Sequence, residues 1–121
     1  TLLTSFSREN LPWPDTRNLD EIVLDLAFKG KKWGLDGAVC SALECAAVKK
    51  HCAPNFLCLT PGIRVQTVKD DQKRVMTPEE AVNAGSDFLV VGRPITRDLN
   101  PSAAAKKIQA RISDAKEYRN D

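Results

Sequence analysis

Three short runs along the chain are apolar without interruption: Gly37-Ala38-Val39-Cys40, Phe56-Leu57-Cys58-Leu59 and Phe88-Leu89-Val90-Val91. None alternates apolar with polar residues. Continuous runs of this length suit strands buried on both faces, as in parallel sheets. Between them the period becomes that of a helix. Leu19, Ile22, Val23, Leu26 and Ala27 fall at i, i+3, i+4, i+7 and i+8, one stripe of a helix. Asn18 can cap that helix and Glu21 can complete a capping box. Asp20 and Glu21 at its start, with Lys29, Lys31 and Lys32 near its end, complement the helix dipole. Ser41-Ala42-Leu43-Glu44 is a second capping box, opening a helix that ends in Lys49-Lys50-His51. Thr77-Pro78-Glu79-Glu80 is a third, with proline at the first helical position and Gly85 placed to stop a short helix. Asn100-Pro101 repeats the cap-then-proline device before a last helix, whose stripe is Ala104, Ala105, Ile108 and Ile112. From Asp114 the sequence turns polar, which predicts a fraying tail over 114–121.

The order is helix, strand, helix, strand, loop, helix, strand, helix. Repeated β-α units imply a parallel sheet with right-handed crossovers. Thr1-Leu2-Leu3-Thr4 reads as the tail of one more strand, cut in the middle, so a segment upstream of residue 1 is expected. Four β-α units make half of a (β/α)8 barrel, whose usual length is ~250 residues. Residues 1–113 are therefore expected to be half of one TIM-barrel domain. An open flavodoxin-like sheet is the alternative.

Composition narrows the classes. Hydrophobic residues make up 42% of the 121, enough for a core. The net charge is +2, from 18 basic and 16 acidic residues, so nothing calls for nucleic acid or an anionic membrane as partner. No apolar run approaches the ~20 residues that span a bilayer, and no signal peptide is visible. A cytosolic protein is expected. Cys40, Cys45, Cys52 and Cys58 are spaced by four, six and five residues, without a C-x-x-C pair. That spacing does not suit zinc, so the four read as reduced structural thiols and no metal site is expected.

Active sites of parallel barrels lie at the C-terminal ends of the strands. Those ends are Thr4-Ser5, Cys40-Ser41, Thr60-Pro61-Gly62-Ile63-Arg64 and Gly92-Arg93-Pro94-Ile95-Thr96. The last two carry a glycine with an arginine close behind, and barrels commonly bind phosphate at their last two strands. Glycine admits a ligand close to the backbone, and arginine offers a planar fork matched to phosphate oxygens. The bland alternative is that both glycines only make turns and both arginines are solvated. Val65 to Met76 is a polar loop, of a kind often used to cover a ligand, and Gln72 could donate to a phosphate oxygen. His51, the only histidine, falls at a helix end remote from this face and reads as a dipole partner. Asp36 and Asp87 precede strands, at the face associated with stability. No acid–lysine pair falls at a strand end. This chain is expected to bind and not, alone, to catalyse.

Leu59-Thr60-Pro61-Gly62-Ile63-Arg64, then Asp71-Gln72-Lys73-Arg74, Met76-Thr77-Pro78-Glu79 and Val91-Gly92-Arg93-Pro94-Ile95-Thr96, resemble the signature series of bacterial orotidine 5′-monophosphate decarboxylase in order and spacing. Leu35-Asp36-Gly37-Ala38-Val39-Cys40-Ser41 and Leu3-Thr4-Ser5 resemble its preceding strands, so the likeness covers nearly the whole chain except the tail. The resemblance implies a (β/α)8 barrel, usually a homodimer, that converts orotidine monophosphate to UMP without cofactor or metal. It implies that Arg93 and the Gly92 backbone hold the phosphate, that Gln72 closes over it, and that Arg64 lies nearby. Pro61 would pack against the base. Thr4 would meet the pyrimidine ring, with Ser5 the second choice. The family's catalytic lysine and aspartates, in an Asp-x-Lys-x-x-Asp motif and on the first two strands, have no counterpart in these residues. Two other readings stay open: a related barrel enzyme acting on a sugar phosphate, and a non-catalytic half-barrel that needs a partner chain.

Overall fold

The computed structural model describes residues 1–2, 5–65 and 75–120, with side chains up to 118. A 3₁₀ turn, Arg8–Asn10, precedes α1 (Leu19–Lys32). Then come β1 (Gly37–Val39), a 3₁₀ turn Ala42–Glu44 running into α2 (Cys45–His51), β2 (Leu57–Thr60), α3 (Pro78–Asn83), β3 (Phe88–Leu89), α4 (Arg93–Thr96) and α5 (Pro101–Asn120). The strands form one parallel sheet in the order β1-β2-β3, with Gly37 opposite Leu57 and Leu59 opposite Phe88.

The helix starts follow from the caps. Asn18 accepts from the Glu21 N–H at 2.8 Å and Glu21 Oε2 accepts from the Asn18 N–H at 2.9 Å. The same reciprocal pair closes Ser41 with Glu44 and Thr77 with Glu80. Each satisfies N–H groups that the first helical turn leaves without partners. Asn100 caps α5 by accepting from the Ala103 N–H at 3.1 Å. Gly85 ends α3 with φ +98, a conformation that costs other residues a steric clash. The expected fraying after Asp114 differs from the structure. There α5 runs on to Asn120, and Ala115, buried, extends the apolar stripe by one turn.

The core lies between the sheet and the helices. Ile22, Val23 and Ala27 of α1 pack with Val48 and Cys45 of α2, Phe56, and Cys40 and Cys58 beneath the sheet. Each fully buried side chain of this size contributes ~1.5–3 kcal/mol. A smaller cluster joins Ala42, Ile63 and Ala81, with Leu89 and Val91 against it. At the N-terminal ends of the strands, Lys49 Nζ donates to Asp87 Oδ2 at 2.7 Å and to the Phe56 carbonyl at 3.1 Å. The same Asp87 oxygen accepts from the Cys58 N–H at 2.8 Å. Asp87 thus ties α2, β2 and β3 together, in keeping with its place at the stability face.

The strands are not buried on both faces, contrary to the reading of their apolar runs. Cys58 and Thr60 point to the helices and are buried, whereas Val39, Leu57, Leu59, Phe88 and Val90 on the other face are 36–56% exposed. The helices cover only one side. A doubly wound sheet carries helices on both faces, so the flavodoxin-like alternative falls. One-sided coverage with parallel strands is the arrangement of a barrel wall. The half-strand expected at the N-terminus is not formed at Thr1 and Leu2, although the Thr1 ammonium and hydroxyl both donate to the Val39 carbonyl. Leu3 and Thr4 lie outside the described residues.

Candidate functional site

Because β2 and β3 are neighbours and parallel, their C-terminal ends leave the sheet side by side. Thr60 is opposite Leu89, and the Val90 N–H donates to the Thr60 carbonyl at 2.9 Å. Pro61-Gly62-Ile63-Arg64 and Gly92-Arg93 follow directly from that pair, so adjacent strands bring two candidate clusters to one rim. Thr60 is fixed from below. Its hydroxyl, fully buried, shares a 2.6 Å hydrogen bond with Ser86.

The two glycines differ in what demands them. Gly62 has φ +80, which its turn imposes, so the backbone alone requires glycine there. Gly92 has φ −102, and a Cβ built on it would meet no atom within 4 Å. Its φ is negative, and packing does not call for glycine at 92. The open space above it would admit a ligand close to the main chain. The Gly92 carbonyl accepts from the Ile95 and Thr96 N–H groups at 2.9 and 3.0 Å, which closes α4, a helical turn the sequence reading took only as a strand end.

Ile63 is buried and pairs with Met76 in an isolated parallel bridge. The Arg64 N–H donates to the Met76 carbonyl at 3.0 Å, and the Met76 N–H to the Gly62 carbonyl at 3.3 Å. Arg64 and Arg93 are both half-buried, and Arg64 Nη1 donates to the Ile63 carbonyl at 3.2 Å. From outside, Arg111 of α5 forms an ion pair with Glu79 and donates from Nη1 to the Val65 carbonyl at 3.0 Å. Sequence reasoning missed Arg111. Its partners are 32 and 46 residues away, and no local pattern links them.

Pro61, Arg64, Gly92 and Arg93 therefore all follow the C-terminal ends of two adjacent strands. Thr4 and Gln72 lie outside the described residues. At the other sequence-predicted strand end, Ser41 is occupied as a cap, since its Oγ accepts from the Leu43 N–H at 3.3 Å. His51 is exposed at the last turn of α2 and meets the Phe28 ring edge-on at 5.1 Å. A wide hollow of ~800 Å³ is walled by Arg8, Glu9, Trp13, Asp15 and Arg17 in a single segment. None of the rim residues lines it. Among the described residues one group could ligate a metal ion, Cys40, Cys45 and Cys58.

The model of the orotidine 5′-phosphate decarboxylase / HUMPS family matches residues 1–108. The orotidine 5′-phosphate decarboxylase of Maridesulfovibrio salexigens is 51% identical over 113 residues, covering 93% of this chain and 49% of that protein. That of Wolbachia pipientis is 45% identical over 115 residues, covering 94% and 51%. Among solved structures, orotidine 5′-phosphate decarboxylase from Lactobacillus acidophilus superposes with a TM-score of 0.72 at 36% identity, over 93% of this chain and 46% of that one. The Pyrococcus horikoshii enzyme shares the fold at a TM-score of 0.63 and 23% identity, over 78% of this chain and 43% of that one. The chain spans about half the length of the curated relatives it matches.

Proposed function

This chain belongs to the orotidine 5′-phosphate decarboxylase / HUMPS family, and from that premise we propose that it supplies the phosphate- and base-binding wall of an enzyme that converts orotidine 5′-monophosphate to UMP. The observation that carries this reading is the shared rim of β2 and β3, where Pro61 to Arg64 stand beside Gly92 and Arg93. Arg93 and the Gly92 backbone take the phosphate, with Arg64 beside them. Pro61 packs on the base, Thr4 meets the pyrimidine ring and Gln72 reaches the phosphate from its loop. No cofactor or metal enters the reaction. The enzyme works in the cytosol as a homodimer.

The division of labour follows from chemistry. Decarboxylation leaves a carbanion at C6 of the pyrimidine, which a lysine must protonate while a carboxylate crowds the departing group. No such pair stands at the strand ends described here, so those groups belong to the other half of the barrel. The phosphate is far from C6. Its binding energy lowers the barrier by fixing the substrate where chemistry occurs, since remote contacts can be spent at the reacting centre. The other half also covers the apolar sheet face, which explains why Val39, Leu57, Leu59, Phe88 and Val90 are exposed here.

Absorbance loss of orotidine monophosphate measures the activity of the chain joined to its upstream half. Rapid decarboxylation is expected there and none from residues 1–121 alone. Arg93→Ala should cost about 1.5–3 kcal/mol in kcat/KM, roughly ten- to a hundredfold, as loss of a charged hydrogen-bond partner does. An unchanged kcat/KM would remove Arg93 from the phosphate site. Tighter binding of a pentose phosphate than of UMP would instead favour a sugar-phosphate enzyme of the same family.

A further inference from the structure

We propose that Cys40, Cys45 and Cys58 form a three-thiol site for a soft metal ion, with copper(I) the ion it fits best. The three sulfurs lie within 4.8 Å of one another, and all three residues are buried. They come from separate elements: Cys40 just after β1, Cys45 at the first position of α2, Cys58 inside β2. Ala38 is opposite Cys58 in the register, so Cys40 lies two positions along on the same helix-facing side. Cys45 joins them from α2, where its Sγ lies 3.7 Å from the Ser41 carbonyl. Donors carried on strands and a helix start are held in place before any ion arrives.

The surroundings select the ion. The neighbours in this core are apolar, among them Ile22, Val23, Ala27 and Val48. Hard cations need oxygen donors and water, whereas thiolates select copper(I) and zinc. Zinc in closed sites takes four ligands, and among the described residues no fourth histidine, cysteine or carboxylate joins the group. Copper(I), a closed-shell ion satisfied by three sulfurs, needs none.

Binding forms three copper–sulfur bonds, and each coordinating thiol gives its proton to solvent. Copper enters and stays in the +1 state. The Lys49 ammonium offsets part of the negative charge so created: Lys49 is on α2 with Cys45, and its Nζ donates to the Phe56 carbonyl, two residues before Cys58.

The test is an anaerobic titration of the reduced protein with copper(I), against bathocuproine disulfonate as competitor. Copper K-edge X-ray absorption then counts the sulfur neighbours. One copper per chain with three sulfur neighbours is expected. Cys40→Ala, Cys45→Ala and Cys58→Ala should each lose tight binding, while Cys52→Ala, buried but outside the group, should keep it. No retained copper, fewer than three sulfur neighbours, or equal loss in Cys52→Ala overturns the proposal. The sulfur count is made on the unsubstituted protein, so it decides the matter even if an alanine in the core disrupts folding.

Discussion

At the scale of single residues, the two rim glycines make opposite predictions. Gly62 is held at φ +80, so Gly62→Ala should lower stability by ~1–2 kcal/mol, read from denaturant unfolding. Gly92→Ala should cost less stability than Gly62→Ala, since its φ is negative and its Cβ would meet nothing. It should instead weaken UMP binding by the complete enzyme, because the new methyl occupies the space left for the ligand. A loss of stability at Gly92 without loss of binding would return it to the role of a turn residue. Both glycines look alike in the sequence, each followed closely by an arginine. Only the dihedral and the empty space above Gly92 separate them. Thr60 and Ser86 were equally hidden, because a 2.6 Å contact across 26 residues leaves no local signature. The thiol cluster escaped for the same reason. Ligand spacing is informative when donors share one turn or loop, and these three meet only after two strands and a helix have packed.

At the scale of elements, the helix starts were legible because a capping box is a local object, four residues that satisfy one another. Asn18, Ser41 and Thr77 all cap as their spacing indicates. The end of α5 was not legible, because what holds its last turns is Ala115 against the body of the fold, a tertiary fact. The same helix is fastened to α3 by Arg111 and Glu79, with Arg111 Nη2 2.7 Å from Glu79 Oε2. The hydrogen bond from Arg111 holds the Glu79 carboxyl below its ordinary value of 4.5. A depressed carboxylate contributes stability that is complete above the unfolded value and is lost as pH falls through the folded one. The melting temperatures of the parent and of Glu79→Gln should therefore differ above 4.5 and converge in acid. The gap should be small, ~1 kcal/mol or less, because both side chains are partly exposed. A gap that persists unchanged into acid would mean that packing, not charge, joins α3 to α5.

At the scale of the whole molecule, the strand runs were read correctly as strands, and this chain by itself covers one of their two faces. A run apolar on both faces states that both faces will be buried, but not by what. Here the helices of this chain bury one face and leave the other as a band from Val39 through Leu57 and Leu59 to Phe88 and Val90. Apolar area of this kind is seldom left open on a protein that works alone, and the chain spans about half the length of its relatives. The covering half was proposed above, and a charge on the band tests it in two directions. Leu59→Asp should make residues 1–121 more soluble and reduce their binding of the dye ANS, since it interrupts the exposed face. In the chain joined to its upstream half, the same carboxylate would be buried without a partner and should cost several kcal/mol or prevent folding. Equal tolerance in both contexts would mean that this face stays open to water in the complete protein, and that the other half meets the chain elsewhere.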